Sequence, residues 1–304
     1  MDKVIETRGL TKYYGAALGI RDVDLVVRQG EVFGFLGPNG AGKTTTIRLL
    51  LGLLRPTRGE IRLLGQDTRR RFQSLLRDIG YLPGDFGLYG DLTGAQYLEY
   101  LMRLRAGRPT PEQKAAMNRL MRRFEIDFAK KIHGYSKGMK QVVGIIQAFM
   151  HLPRLTILDE PTSGLDPIMQ EAFYELLVEE TGRGAAIFFS SHILREVERV
   201  CGRVGMIKEG RLLNVEAMNE RGALLGKKIA VKAPRDAAAM FQRLSELDGV
   251  HDAALRGGTL ELLFTGDMRQ FLRFLAPFEI QDFTCEPPNT EDVFLRLYRA
   301  DRDV

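Results

Sequence analysis

The sequence contains no apolar run long enough to cross a lipid bilayer. A membrane-spanning helix needs about 20 consecutive apolar residues. The longest candidate run, residues 144–152, is about half of that length and includes Gln147 and His151. The first nine residues carry four charged side chains, which is not the pattern of a secretory signal peptide. We therefore expect a protein that does not cross a membrane by itself and takes any membrane role through a partner.

Cysteine is scarce as well. The two cysteines, Cys201 and Cys285, are far apart and lack the spacing of a metal site. Such a pair is typical of reduced thiols in a cytosolic protein. The sequence therefore predicts neither a disulfide framework nor a cysteine-bound metal.

Acidic residues are few in the middle of the chain. The net charge is +5, from 44 basic and 39 acidic residues, and residues 103–140 hold eleven basic against three acidic side chains. A basic stretch of this kind can face nucleic acid, nucleotide phosphates or an anionic membrane surface, or it can be a solvated helical face without a partner. Charge alone does not choose among these interpretations.

The alternation of apolar segments predicts an α/β fold in the first two-thirds of the chain. Short apolar strands alternate with helical stretches up to residue 213, which favours a mainly parallel sheet covered on both faces. Residues 4–10 and 23–28 are expected to be antiparallel edge strands. The alternation stops over residues 93–152, where apolar residues recur at helical spacing, so we expect a helical insertion there.

The last part of the chain has a different order of predicted strands and helices. From residue 227 the predicted order is β-α-β-β-α-β, the ferredoxin-like arrangement, with a hairpin at Gly257 and Gly258. A final helix is expected at residues 291–299, capped by Asn289 or Thr290. At 304 residues the length suits two domains, which we place at residues 1–220 and 221–304, the second a small α+β domain.

A glycine-rich segment after an apolar strand matches the full P-loop pattern G-x-x-x-x-G-K-[ST]. Its glycines let successive backbone N–H groups point at phosphate oxygens, and the helix that follows adds the positive end of its dipole. In this pattern Lys43 contacts the β- and γ-phosphates and the Thr44 hydroxyl ligates Mg²⁺. The segment predicts a nucleoside triphosphate site formed by Gly37, Pro38, Asn39, Gly40, Ala41, Gly42, Lys43, Thr44 and the adjoining Thr45.

Two carboxylates follow a later apolar strand, residues 155–158. A strand buried on both faces presents acidic side chains only at its tip, where the P-loop of such sheets lies. Asp159 can hold Mg²⁺, and Glu160 can orient or deprotonate the attacking water. Such a pair is otherwise a common helix N-cap, but together with a P-loop it indicates catalysis.

A further motif lies about twenty residues before Asp159. With Ser136 and Gly138 at its two key positions, it resembles the signature motif of ABC transporter nucleotide-binding subunits, usually Leu-Ser-Gly-Gly-Gln, although Lys137 replaces a glycine. The resemblance extends over about residues 7–213 and implies a P-loop NTPase core that binds and hydrolyses ATP with Mg²⁺. The motif reads Tyr135, Ser136, Lys137, Gly138, Met139, Lys140, Gln141.

The resemblance assigns more residues. Asp166, in a segment similar to the family's D-loop, is implied at the dimer interface, and His192 matches the histidine that contacts the γ-phosphate. Tyr14 matches the aromatic side chain that stacks on adenine, with Tyr13 as a close competitor. Ser136, Gly138 and Gln141 are implied as nucleotide contacts across the interface.

One element departs from the family. A glutamine that ligates Mg²⁺ is usual after the strand at residues 79–82, but this chain has Gly84, which offers no side chain to the metal. Either water fills that position or Asp85 reaches it. The departure affects the expected metal geometry and coupling, not nucleotide binding.

The resemblance also implies partners. In the family, the signature motif of one subunit closes the site formed by the P-loop of another, so we expect a dimer with a second copy or a related subunit. A separate membrane permease is implied at the inner face of the cell membrane, contacted through residues 84–92. The alternative for Phe86, Leu88 and Tyr89 in this segment is local packing under the helical insertion. A single cassette with a small C-terminal domain resembles bacterial exporters of small molecules, drugs or lipids.

Two other functions stay open from the sequence. One is an ABC protein acting on ribosomes or DNA through residues 103–140, although the double cassette or long coiled coils of such proteins are not present, and we expect no nucleic-acid partner. The other is a regulatory module in which the C-terminal domain senses a ligand.

Overall fold

The computed structural model describes residues 2–217 and 226–286. The chain divides into two compact units, Met1–Glu216 and Ala217–Val304. The domain boundary expected after residue 220 lies outside the described residues, and so does the helix expected at 291–299 with its cap at Asn289 or Thr290. Both stay predictions. No helix in the described ranges is both long and apolar enough to span a membrane.

The first unit alternates strands and helices along the chain. Its elements are β1 (Lys3–Tyr14), β2 (Ala17–Arg28), β3 (Val32–Leu36), α1 (Lys43–Leu50), β4 (Arg58–Leu63), β5 (Gln66–Asp67), α2 (Thr68–Leu75), β6 (Ile79–Leu82), α3 (Gly94–Ala106), α4 (Pro111–Arg123), α5 (Lys137–Phe149), β7 (Leu155–Asp159), α6 (Pro167–Gly182), β8 (Ala186–Ser191), α7 (Leu194–Val200), β9 (Arg203–Lys208) and β10 (Arg211–Ala217).

A six-stranded sheet with the order β10-β9-β3-β8-β7-β6 forms the centre of this unit. The pairs β3–β8, β3–β9, β7–β8 and β6–β7 are parallel, which confirms the mainly parallel sheet. Every residue of β3, β7 and β8 is buried, which explains their continuous apolar sequence. The carboxyl ends of these three strands meet at one edge, where Leu36 pairs with Ser191 and Asp159 with Ser190.

The first two strands lie elsewhere than expected. They belong to a separate four-stranded sheet with the order β2-β1-β4-β5, and are not edges of the parallel sheet. Strand β1 is an internal strand, because it pairs antiparallel with β2 on one side and with β4 on the other. The antiparallel character is confirmed. The edge position is confirmed for β2, which ends its sheet, and is wrong for β1, whose second partner β4 carries no apolar run that would have marked it.

The helical insertion is confirmed as α3, α4 and α5. Thr93 and Thr110 each cap a helix through a capping box, in which the threonine hydroxyl accepts from the backbone of Gln96 or Gln113 and the glutamine side chain accepts in return. Gly107, with φ +66°, ends α3. Gly107 and the Thr110 cap therefore separate α3 from α4 within the insertion.

Over residues 226–286, the second unit forms a four-stranded antiparallel sheet with two α-helices. Its elements are β11 (Lys227–Lys232), α8 (Ala237–Arg243), β12 (Val250–Arg256), β13 (Thr259–Phe264), α9 (Met268–Leu275) and β14 (Asp282–Glu286).

The sheet order β12-β13-β11-β14 places the first and third strands at the centre, as the ferredoxin-like arrangement requires. A core cluster includes Ile229, Val231, Phe264 and Phe271, so strands and helices share one apolar layer.

Candidate functional site

The P-loop joins β3 to α1 and requires glycine at two of its positions. Gly40 and Gly42 have φ values of +79° and +109°, a region that side chains with a Cβ rarely adopt. A Cβ added to Gly42 would also come within 2.7 Å of the Ile20 side chain. Gly42 is the N-cap of α1, so the N–H groups of the first helical turn face the loop. The loop therefore has the geometry of a phosphate cradle.

Lys43 is buried inside this loop. Its Nζ donates to the carbonyl oxygens of Gly37 at 2.7 Å and Pro38 at 3.2 Å, and lies 3.4 Å from Glu160 Oε1. The ammonium group thus stands between the loop backbone and the acidic residues that follow β7. A triphosphate in the loop would meet this charge directly.

Thr44 and Asp159 form the candidate metal site. The Thr44 hydroxyl donates to Asp159 Oδ2 at 2.9 Å, and the Ser190 hydroxyl donates to Oδ1 at 2.7 Å. The Asp159 carboxylate is buried. Hydroxyl and carboxylate oxygens are the hard ligands that Mg²⁺ prefers, so the donor set fits this ion.

Glu160 lies between Lys43 and His192. Its Oε1 is 3.3 Å from His192 Nδ1, and its backbone adopts φ +49°. The Glu160 N–H group lies 3.2 Å from both the carbonyl and the hydroxyl oxygen of Ser190 on the neighbouring strand. This anchoring directs the carboxylate towards the lysine and the histidine, where a base acting on water is needed.

Tyr14 is the better placed of the two candidate aromatic side chains. It is 46% exposed, and its hydroxyl lies 3.5 Å from the Thr45 hydroxyl on the first turn of α1. The Tyr13 backbone N–H is bonded to Thr57 instead. The Lys12 ammonium lies 5.4 Å from the centre of the Tyr14 ring. The exposed ring is therefore available beside the P-loop for stacking.

Gly84 lies next to the metal carboxylate. A Cβ at this position would be 3.5 Å from Asp159 Oδ2, an ordinary contact distance. The chain therefore brings residue 84 to a place where a longer side chain would reach the Asp159 carboxylate, the candidate metal ligand.

The signature segment begins α5. Ser136 is the N-cap, and its hydroxyl accepts from the backbone of Met139 at 3.2 Å. A Cβ on Gly138 would lie 2.5 Å from the carbonyl oxygen of Gly164, so only glycine fits there. Lys137, the replacement for the usual glycine, donates to the Ser163 hydroxyl at 2.9 Å. Within the described part of the chain, no hydrogen bond joins Ser136 or Gly138 to the P-loop.

Two residues expected at the interface have clear local roles. Asp166 is the exposed N-cap of α6, where its carboxylate accepts from Met169 N at 2.8 Å. Gln141 is buried, and its amide donates to the carbonyl oxygen of Pro161 at 2.8 Å. The nucleotide contact expected of Gln141 across the interface stays a prediction. Five helical positions after Ser136, its side chain points to a different side of α5.

Known proteins match the part of the chain that contains most of these residues. The family model described as ABC transporter matches residues 20–163. The bacitracin transport ATP-binding protein BcrA of Bacillus licheniformis is 42% identical over 219 residues, covering 70% of this chain and 69% of that protein. The chain belongs to the ABC transporter family, as an ATP-binding subunit.

Two more relatives extend this result. An uncharacterized ABC transporter ATP-binding protein of Synechocystis, sll0415, is 38% identical over 309 residues, covering 97% of this chain and 85% of that protein. A solved structure of an ATP-binding subunit of an ABC transporter is 34% identical, with a TM-score of 0.67, and covers 71% of this chain and 91% of that one. The chain is accordingly an ATPase of the ABC type, with an α/β P-loop core.

Several residues of this ABC site are not among those predicted from the sequence. Ser190 bonds to Asp159, and Ser191 and Thr162 both bond to the buried carboxylate of Glu196. The available signal was a pair of serines that ends an otherwise apolar strand.

Proposed function

We propose that this ABC subunit uses ATP and Mg²⁺ to drive export of a small molecule, drug or lipid through a permease that is a separate chain. The observation that carries the proposal is the meeting of Lys43, Thr44, Asp159, Glu160 and His192 at one edge of the sheet of an ABC cassette. Lys43 binds the phosphates, and Thr44 and Asp159 hold Mg²⁺, which supplies charge neutralisation at the phosphates. Glu160 orients or deprotonates the attacking water.

The dimer is the second part of the proposal. The P-loop and the signature segment belong to the same chain, yet no described hydrogen bond joins them, and both Ser136 and Asp166 are exposed. A partner copy or a related subunit would place its own Ser136 and Gly138 on the phosphate held by residues 37–44. ATP would then lie between two protein faces and hold them together, and hydrolysis would release them.

The permease contact is proposed at residues 84–92. Phe86 packs against Gly144 of α5, which supports the local-packing interpretation for that side chain. Tyr89 is different, because it is 59% exposed and makes edge contacts with Tyr97 and the exposed Tyr100. This tyrosine cluster supports a docking role, which would hold the subunit at the inner face of the membrane.

The nucleic-acid alternative loses support from the basic stretch. Arg103 pairs with Glu99, Arg119 and Arg123 pair with Glu179, and Arg105 donates to backbone carbonyls near the start of β6. These four of the eleven basic side chains therefore have partners within the chain, which weakens the case for a phosphate-binding surface here.

One relative, BcrA, is named as a bacitracin transport protein. This name supports an antibiotic-like cargo among the proposed classes. The decisive experiment compares the ATPase rate of the purified chain with vesicles that contain a co-expressed permease and with RNA or DNA. We expect stimulation by the permease vesicles alone, and K43A should abolish it. Stimulation by nucleic acid alone would overturn the transport proposal.

A further inference from the structure

Glu196, on the short helix α7, joins the two loops that carry Glu160 and His192. The Thr162 hydroxyl donates to Glu196 Oε1 at 2.7 Å, and the Ser191 hydroxyl donates to Oε2 at 2.6 Å. These lengths are those of hydroxyl groups bonded to a carboxylate. Both carboxylate oxygens are thus engaged, one by each loop.

The bridge is buried. Glu196, Thr162 and Ser191 are each less than a tenth exposed, and the neighbouring Tyr174 has its pKa raised to about 12, mainly by burial and next by the charge of Glu196. A carboxylate withdrawn from water needs such donors, because an unpaired one is strongly unfavourable. The position of the carboxylate therefore constrains both hydroxyl partners.

The partners lie immediately beside the catalytic residues. Thr162 is two positions after Glu160, and the turn between them is closed by a bond from Ser163 N to Glu160 O at 3.2 Å. Ser191 directly precedes His192, and its hydroxyl also accepts from Ile193 N at 2.9 Å. The backbone on both sides of His192 is held by the one serine that bonds to Glu196.

The alternation of side chains along β8 explains this arrangement. Successive side chains of a strand point to opposite faces, so Ser190 reaches Asp159 while Ser191 reaches Glu196. One strand end thus supports the metal carboxylate on one face and the Glu196 bridge on the other.

We propose that Glu196 is a positioning residue for ATP hydrolysis. By tying Thr162 to Ser191, it sets the separation of Glu160 and His192, whose Oε1 and Nδ1 atoms are 3.3 Å apart. The inference rests on hydrolysis at this site and is independent of the cargo and the permease.

The first test uses two variants that remove one bond each and keep the side-chain shape. T162V removes a hydroxyl donor, and E196Q replaces a carboxylate oxygen with an amide nitrogen that cannot accept the hydrogen bond of the hydroxyl. We expect kcat to fall about tenfold in each, with the KM for ATP changed less than about twofold, because only the reacting geometry is disturbed. E198Q, an exposed substitution on the same helix, should leave both constants unchanged.

The second test reads the position of His192 without relying on turnover. The chain has four histidines, so the ring signals in nuclear magnetic resonance spectra can be assigned by substitution. E196Q should shift the His192 ring signals and leave those of His251 in place, and E198Q should shift neither. The proposal would be overturned if a folded E196Q variant kept the wild-type kcat, or if only its KM for ATP rose. It would also be overturned if kcat fell while the His192 signals stayed in place. An inactive wild-type chain would instead reject the proposed function.

Discussion

Gln141 of the signature helix donates its side-chain amide to the carbonyl oxygen of Pro161, which directly follows Glu160, the proposed catalytic base. The same helical turn places Lys137 on Ser163 and Gly138 against Gly164. The segment that carries the base of one site therefore packs on the segment proposed to close the partner's site. A shift in either would be transmitted to the other within a single chain.

The Gln141 bond should matter for both stability and turnover. Q141M keeps the length of the side chain but leaves the buried carbonyl of Pro161 without its donor, which typically costs about 1–3 kcal/mol. We expect the free energy of unfolding to fall by that amount and kcat to fall with it, as measured by urea unfolding and steady-state ATPase. Q73M, at an exposed position of α2, is the control. An unchanged kcat in Q141M would argue against coupling through this bond.

Ser190 should tune the metal site through Asp159. Because its hydroxyl donates to Oδ1 at 2.7 Å, it orients the carboxylate that is proposed to bind Mg²⁺. Removing such a supporting partner typically weakens metal affinity by about 10–100-fold. S190A should therefore need a higher Mg²⁺ concentration for half-maximal ATPase activity, and the exposed control S245A should not. An unshifted Mg²⁺ titration would show that Thr44 alone orients Asp159.

The P-loop and the acidic strand end could be predicted from the sequence because each is a contiguous segment whose local geometry decides its chemistry. Gly42 requires a positive φ wherever this loop forms, and a buried strand can present Asp159 only at its end. The parallel sheet followed for the same reason, from uninterrupted apolar strands.

The remaining features depend on which segments become neighbours. Nothing local in the sequence indicates that Gln141 turns inward to Pro161, or that Glu196 joins Thr162 to Ser191, since these partners lie between 5 and 34 residues apart. The internal position of β1 was missed because it depends on pairing with β4, about fifty residues later. Helix α1 also ends at Leu50, earlier than the apolar run that extends to residue 54.

The departure at Gly84 can be reversed by substitution. A Cβ there would make only ordinary contact with Asp159 at 3.5 Å, and its φ is not in the left-handed region, so a side chain fits without strain. G84Q should add an amide oxygen near the proposed metal and lower the Mg²⁺ concentration needed for half-maximal ATPase activity. G84A, which adds the Cβ without an oxygen ligand, is the matched control. Equal titrations for G84Q and G84A would show that residue 84 does not reach the metal.

The proposed dimer should become visible when hydrolysis is blocked. E160Q keeps the shape of the side chain and removes the carboxylate proposed to activate water, so ATP should stay bound between two copies. Light scattering should give about twice the monomer mass of 34.3 kDa with ATP and the monomer mass without it. The double variant K43A/E160Q should stay monomeric at the same ATP concentration. A monomeric E160Q at saturating ATP would contradict the homodimer and leave only pairing with a related subunit.

His151 gives the chain a pH-dependent stability that is separate from catalysis. Burial, and next the nearby Arg105, lower its pKa from 6.5 to about 3, and its Nε2 lies 3.3 Å from the Ile79 carbonyl oxygen. Between these values the unfolded chain binds a proton that the folded chain does not, so this contribution is lost as pH falls below about 6.5, at about 1.4 kcal/mol per pH unit. H151Q cannot titrate and can still donate to Ile79, so its urea stability should fall less steeply than that of wild type between pH 6.5 and 4. A wild-type slope in H151Q would assign the acid sensitivity to other groups.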